Sequence, residues 1–85
     1  KWDHKWRIIA YDVDESKRPF RRSFQHILRR LKFLQLQESV YLTPYPCENE
    51  IQLTAEIFGV TQFINIITAD KISNDVKAKV HFGLL

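Results

Sequence analysis

Three acidic side chains lie close together near the start of the chain. Asp12, Asp14 and Glu15 fall within four residues, at the end of the segment 6–13, whose β-branched and aromatic residues predict a strand. Carboxylate oxygens are the ligands that Mg²⁺ prefers, so this cluster is a candidate metal site. The same residues also suit a structural role, in which Asp14 or Ser16 caps the next helix. The local pattern favours the structural role, because helix caps are far commoner than metal sites.

Basic side chains are concentrated in the segment that follows. Residues 17–37 contain seven basic side chains and no acidic one, whereas residues 38–70 contain five acidic side chains and no basic one. Such a block can attract phosphate groups although the net charge of the chain is only +3. The alternative is a solvated helix face that pairs with the acidic half of the chain. The candidate nucleic-acid-binding residues are Arg18, Arg21, Arg22, Arg29 and Lys32.

These basic residues belong to a predicted amphipathic helix. Phe20, Phe24, Ile27, Leu28 and Leu31 recur at helical spacing, so apolar side chains line one face and basic side chains the other. Three arginines fall in the first turn, where the helix dipole disfavours each by about 0.3 kcal/mol. This local conflict suggests a partner outside the helix, although pairing with the preceding acidic cluster would resolve it equally well.

The rest of the chain predicts a small α+β domain. Residues 33–37 and 39–43 predict two short strands, or one strand broken by a bulge. A helix over 46–58, a strand over 63–68 and a short helix over 75–82 follow. The order strand, helix, strand, strand, helix, strand predicts a ferredoxin-like βαββαβ sandwich with a short C-terminal helix. Both main helices then lie on one face of the sheet. We expect the other face to be covered by dimerisation, which makes a homodimer the expected state.

The composition limits the class of protein. A chain of 85 residues, 45% hydrophobic and 27% charged, fits one globular domain over residues 1–85. The single cysteine, Cys47, excludes an internal disulfide framework and suggests a cytoplasmic location; we expect it to be a packing residue. No apolar run approaches the ~20 residues of a membrane span, and the histidines lack zinc-site spacing. The lack of methionine indicates a fragment of a longer protein without its N-terminal part.

Parts of the sequence resemble the small CRISPR-associated Cas2 proteins. The resemblance is carried by residues 8–13, by the basic helix with its paired arginines, and by residues 36–41. It implies a ferredoxin-like fold, a homodimer, a role in spacer acquisition and, in some members, metal-dependent nuclease activity. Asp12 would then be the catalytic aspartate and, with Asp14, would hold Mg²⁺ or Mn²⁺. Ser39 would orient a phosphate oxygen.

A second resemblance covers nearly the whole chain. The opening residues 1–7, the segment 33–47 with its Pro-Tyr-Pro, and Phe-Gly-Val at 58–60 resemble the middle, Cas2-like domain of the phenylacetate-repressor (PaaX) family of bacterial regulators. In that family a winged-helix DNA-binding domain precedes this module. The resemblance implies a dimerisation and nucleic-acid-associated module of a transcriptional regulator, acting on DNA without enzymatic activity or a cofactor. The metal-dependent endonuclease or spacer-acquisition subunit is the alternative.

Overall fold

The computed structural model describes residues 2–85, with Glu15 described by its backbone alone. The elements in chain order are β1 (Trp6–Tyr11), α1 (Arg18–Arg30), β2 (Leu34–Gln37), β3 (Val40–Thr43), α2 (Glu48–Phe58), β4 (Ile64–Ala69) and α3 (Asp75–His81). Short 3₁₀ turns precede α1 and β4. Within the described part of the chain, no helix is long and apolar enough to cross a bilayer.

The strands form one antiparallel sheet in the order β2-β3-β1-β4. β1 is central: Ile9 lies opposite Tyr41 of β3 on one side and opposite Ile66 of β4 on the other. A bulge between Gln35 and Gln37 interrupts the pairing of β2 with β3, and the two form a hairpin rather than one broken strand. The ferredoxin-like α+β prediction is confirmed by this order of elements and strands.

The main core lies between one face of the sheet and the helices α1 and α2. Its central side chains are Ile9, Tyr11, Phe24, Leu28, Tyr41 and Ile51. Phe24 and Leu28 are four residues apart, so they lie on the same side of α1, and both are fully buried. Because this apolar stripe is fixed against the sheet, the opposite, basic side of α1 must face the solvent.

The second face of the sheet is covered in part by α3. Trp6 and Leu42 are buried there against Ala78 of α3, and the rings of Trp2 and Phe82 pack around Trp6 at centroid distances of 4.9 and 6.4 Å. The C-terminal helix α3 therefore covers part of the sheet face that was predicted from the sequence to be covered by a second subunit. The exposed apolar side chains on this side include Leu36, Ile67, Val76 and Val80.

Of two predicted helix ends, the C-terminal end of α2 is capped as expected and the N-terminal end of α1 is not. α2 stops at Gly59, whose φ of +69° is the left-handed conformation predicted for this glycine. α1 begins without the predicted cap: Lys17 is its N-cap residue and makes no side-chain capping hydrogen bond. Instead, Ser16 Oγ donates to the carboxylate of Asp14 at 3.3 Å. Pro19 in the first turn has no backbone N–H to satisfy, so less is lost without a cap.

The orientation of α2 can be checked with two identical substitutions on the same helix. Ile51→Val should lower the free energy of unfolding by about 0.5–1.5 kcal/mol, because Ile51 is 2% exposed. Ile57→Val should change it by less than about 0.5 kcal/mol, because Ile57 is 73% exposed. Guanidinium unfolding followed by circular dichroism measures both. Equal losses of unfolding free energy in the two variants would show that the side of α2 containing Ile51 is not the buried side.

Candidate nucleic-acid interface

The solvent side of α1 carries the predicted basic side chains. Arg18, Arg22 and Arg29 are exposed and follow one another at spacings of four and seven residues, so they lie along one side of the helix. Arg21 is half-buried at the border between this side and the sheet. The buried apolar stripe fixes the rotation of α1, and the arginines are therefore held on the surface.

Three of these arginines, together with Gln25 of α1, surround a depression beside the β2–β3 turn. It has a volume of about 270 Å³ and is lined by Arg18, Arg21, Arg22, Gln25 and Glu38; we call it the arginine pocket. Guanidinium groups present several N–H donors in a plane, an arrangement that matches the oxygens of phosphate and carboxylate groups. The pocket is therefore suited to an anionic ligand rich in oxygen.

The turn between β2 and β3 closes one side of the arginine pocket. Arg21 Nη2 donates to Glu38 Oε1 at 3.1 Å. The amide groups of Gln25 and Gln35 donate to the backbone carbonyl oxygen of Glu38, at 3.4 and 3.3 Å. The turn is thus tied to α1 through its backbone as well as through an ion pair. An ion pair this exposed stabilises a fold by about 0–1 kcal/mol.

The basic side of α1 continues beyond the pocket to the C-terminal end of the helix. Arg29 Nη2 donates to Gln35 Oε1 at 3.4 Å. Lys32 follows the helix with a φ of +69°, and its carbonyl oxygen lies 3.1 Å from His81 Nε2. From Arg18 to Lys32 the five candidate residues cover about 20 Å. Whether they bind nucleic acid stays a prediction.

The residues predicted for a metal site are placed differently. Asp12 follows β1 directly; its backbone N–H bonds to the turn before β4, and its side chain is exposed. Asp14 is exposed as well. Ser39 does not line the arginine pocket, and its carbonyl oxygen accepts the N–H of Tyr11 at 3.1 Å. Among the side chains that the structure describes, no three His, Cys, Asp or Glu residues gather to hold a metal ion. The metal and phosphate-orienting roles stay predictions.

Cys47 lies in the core at the start of α2. Burial is the main reason that the pKa of its thiol rises to about 11, and the nearby carboxylates of Glu48 and Glu50 raise it further. A thiol with such a pKa stays protonated at neutral pH and is a poor nucleophile. The expectation that Cys47 is a packing residue agrees with this burial.

A buried arginine fastens the N-terminal segment to the sheet. Arg7 is 5% exposed. Its Nη1 donates to the carbonyl oxygen of Pro44 at 2.8 Å and to Asp3 Oδ1 at 2.9 Å, while Nη2 donates to Asp3 Oδ2 at 2.6 Å. This paired contact holds the pKa of Asp3 at about 2, below its ordinary value of 3.8. Neither residue was assigned a role from the sequence.

Comparison with known families agrees with the fold and with the resemblance of the sequence. A family model described as the PaaX protein central Cas2-like domain matches residues 1–80. The chain belongs to the PaaX family. The match is to the PaaX branch, so the alternative of a stand-alone Cas2 nuclease is not favoured. Comparisons with curated proteins and with solved structures give no significant match.

In this PaaX-family domain, two pocket residues were not predicted from the sequence, Gln25 and Glu38. The signal for Glu38 in the sequence is its position: it is the first acid after the basic segment 17–37 and separates two short predicted strands. The sequence alone could not predict that Glu38 contacts Arg21, because this contact depends on how the β2–β3 hairpin lies beside α1.

The Asp3–Arg7 contact should make the stability of the PaaX-family domain depend on pH in the acidic range. Because the folded-state pKa of Asp3, about 2, lies below its ordinary value of 3.8, the stabilisation is complete above pH 3.8 and is lost as the pH falls towards 2. Asp3→Asn should lower the melting temperature at neutral pH and flatten its decline in this window. The exposed Asp70→Asn is the control. Parallel melting profiles for wild type and Asp3→Asn would disprove the contact's role.

Proposed function

We propose that the chain is the central module of a PaaX-like bacterial transcriptional regulator, where it associates with the DNA backbone through α1 and joins two subunits. Membership of the PaaX family supports the regulatory role. The observation that carries the DNA contact is the basic side of α1, with three arginines around one pocket. In this proposal the module performs no reaction and needs no cofactor.

The arrangement of α1 favours backbone contact over base recognition. Its first turn contains no acidic residue and its last turn contains Arg29 and Arg30, so positive charge extends over the whole length of the helix. Contacts between arginines and phosphates supply affinity that is independent of base sequence and weakens with salt. Recognition of a particular operator then falls to another part of the regulator, such as the winged-helix domain that the family resemblance implies.

Removing two charges from α1 should weaken DNA binding more than removing two charges elsewhere. We expect Arg22→Gln with Arg29→Gln to bind a short labelled duplex about tenfold more weakly at low salt. The slope of log affinity against log salt should fall by about two. The control is Lys71→Gln with Lys77→Gln, which removes the same charge from exposed positions outside α1.

Fluorescence anisotropy titrations between about 50 and 200 mM salt measure both pairs of variants. Equal weakening by the two pairs would show that only net charge matters. A wild-type domain without salt-dependent binding would reject the DNA contact altogether.

The proposed subunit contact uses the side of the sheet that carries α3. Ile67 lies opposite Ile8 in the register and therefore on the same face, and it is exposed. Val76 and Val80 are exposed one turn apart on α3. Exposed apolar side chains on this side of the sheet are suited to covering by a second copy of the chain.

Charges placed on this side should abolish self-association. We expect a dimeric wild type and a monomeric Val76→Glu/Val80→Glu variant, because each subunit would bring two carboxylates into an apolar contact. Leu53→Glu/Ile57→Glu is the matched control: it also changes two exposed side chains one turn apart, but on α2, and should remain dimeric. Sedimentation equilibrium gives the mass of each. A monomeric wild type at high concentration, or dissociation of the control alone, would contradict the proposed contact.

A further inference from the structure

The arginine pocket contains a carboxylate that accepts a hydrogen bond from one of its guanidinium groups. Three guanidinium groups line the pocket, and the acid among its lining residues is Glu38. Arg21 Nη2 donates to Glu38 Oε1 at 3.1 Å. Carboxylate and phosphate oxygens use guanidinium donors in the same geometry, so a phosphate that takes this donor must displace the carboxylate.

We propose that Glu38 is an internal competitor for the arginine pocket. In the free domain its carboxylate holds Nη2 of Arg21, and it leaves this donor when a phosphate group binds. The inference rests on the proposed association with DNA and identifies the residue that limits it. The ligand chemistry is a phosphate oxygen, which the DNA backbone or a free pyrophosphate can supply.

The structure separates the carboxylate of Glu38 from the contacts that hold its turn in place. Gln25 and Gln35 bond to the backbone carbonyl oxygen of Glu38, and Ser39 bonds through its own carbonyl oxygen to β1. These contacts do not use the side-chain charge. Removing that charge therefore alters the pocket while the turn stays in position.

The exposure of the ion pair makes displacement feasible. The side chain of Glu38 is 80% exposed, and that of Arg21 is 21% exposed. A solvated carboxylate regains water when it leaves, so the pair is weak and screened by salt. A buried pair would instead lock the pocket, because a charge left without its partner in the interior is costly. Glu38 therefore lowers the affinity for phosphate without preventing binding.

Two substitutions that remove the same charge test the proposal. Glu38→Gln should bind a labelled DNA duplex about 2- to 5-fold more tightly than wild type. Its binding should also depend more steeply on salt, by up to about one unit of slope for one added phosphate contact. Glu56→Gln, which changes an exposed acid on α2 outside the pocket, should change the affinity by less than about 1.5-fold.

A second arm replaces DNA with pyrophosphate and follows the arginine Nε–H signals by NMR. Glu38→Gln should bind pyrophosphate more tightly than wild type by a similar factor. Placing Arg21→Gln in both backgrounds should remove the gain, because the competition requires this donor. Equal effects of Glu38→Gln and Glu56→Gln in both arms, or a gain that persists without Arg21, would overturn the proposal.

The two arms also distinguish this inference from the proposed function. Tighter pyrophosphate binding by Glu38→Gln, with no DNA binding by any variant, would reject the DNA contact but keep Glu38 as a competitor. DNA binding that depends on Arg22 and Arg29 but not on Glu38 would keep the DNA contact and reject the competitor.

Discussion

Both faces of the central strand β1 carry large apolar side chains, and each face needs its own cover. Ile9 and Tyr11 pack against α1 and α2, whereas Trp6 packs against α3. Burial of one such side chain contributes about 1.5–3 kcal/mol, so the helices are held by their contacts with β1. Each helix then has one side committed to the core and one side left for other contacts. The position of the basic surface follows from this constraint, because the apolar stripe of α1 has nowhere else to pack.

The same packing explains why α1 tolerates arginines at its N-terminal end. Each such arginine costs about 0.3 kcal/mol through the helix dipole. The fully buried Phe24 and Leu28 together contribute several times more, about 3–6 kcal/mol. The packing energy outweighs the preference of the helix dipole against arginine. Residues in the first turn can therefore serve ligand binding without preventing the helix from forming. The pair between Arg21 and Glu38 offsets part of the remaining repulsion in the free domain.

The parts of the fold that sequence could predict are those specified by neighbours along the chain. The spacing of Phe20, Phe24 and Leu28 identifies α1 and its solvent side, and Gly59 marks the end of α2. The parts that were missed depend on contacts between distant segments. The side of the sheet that α3 covers is not encoded in α3 itself, since its exposed valines suit either placement. The sequence predicted a side-chain cap on α1 that is absent. Pro19 has no backbone N–H, so one fewer donor in the first turn needs a partner.

The candidate site shows the same division. Helical periodicity was enough to place Arg18, Arg22 and Arg29 along one side of α1. It could not show that Arg21 borders the sheet and meets Glu38, since the two residues are 17 positions apart. Likewise, Asp3 and Arg7 are close in sequence, but Arg7 also donates to the carbonyl oxygen of Pro44, which is 37 positions away. Where an ion pair is anchored by a third, distant group, a pattern of charges in the sequence is not sufficient.

The arrangement of the two proposed contacts has a consequence for how a regulator would use them. The arginine pocket lies on α1, which covers one face of the sheet, and the exposed valines lie on α3, which covers the other. Self-association through α3 therefore leaves both copies of the pocket open, facing outwards from opposite sides of the dimer. Binding at the arginine pocket and dimerisation then do not compete for surface. Since a straight duplex cannot touch two opposite sides at once, each α1 would meet its own DNA segment, or one segment that bends around the dimer.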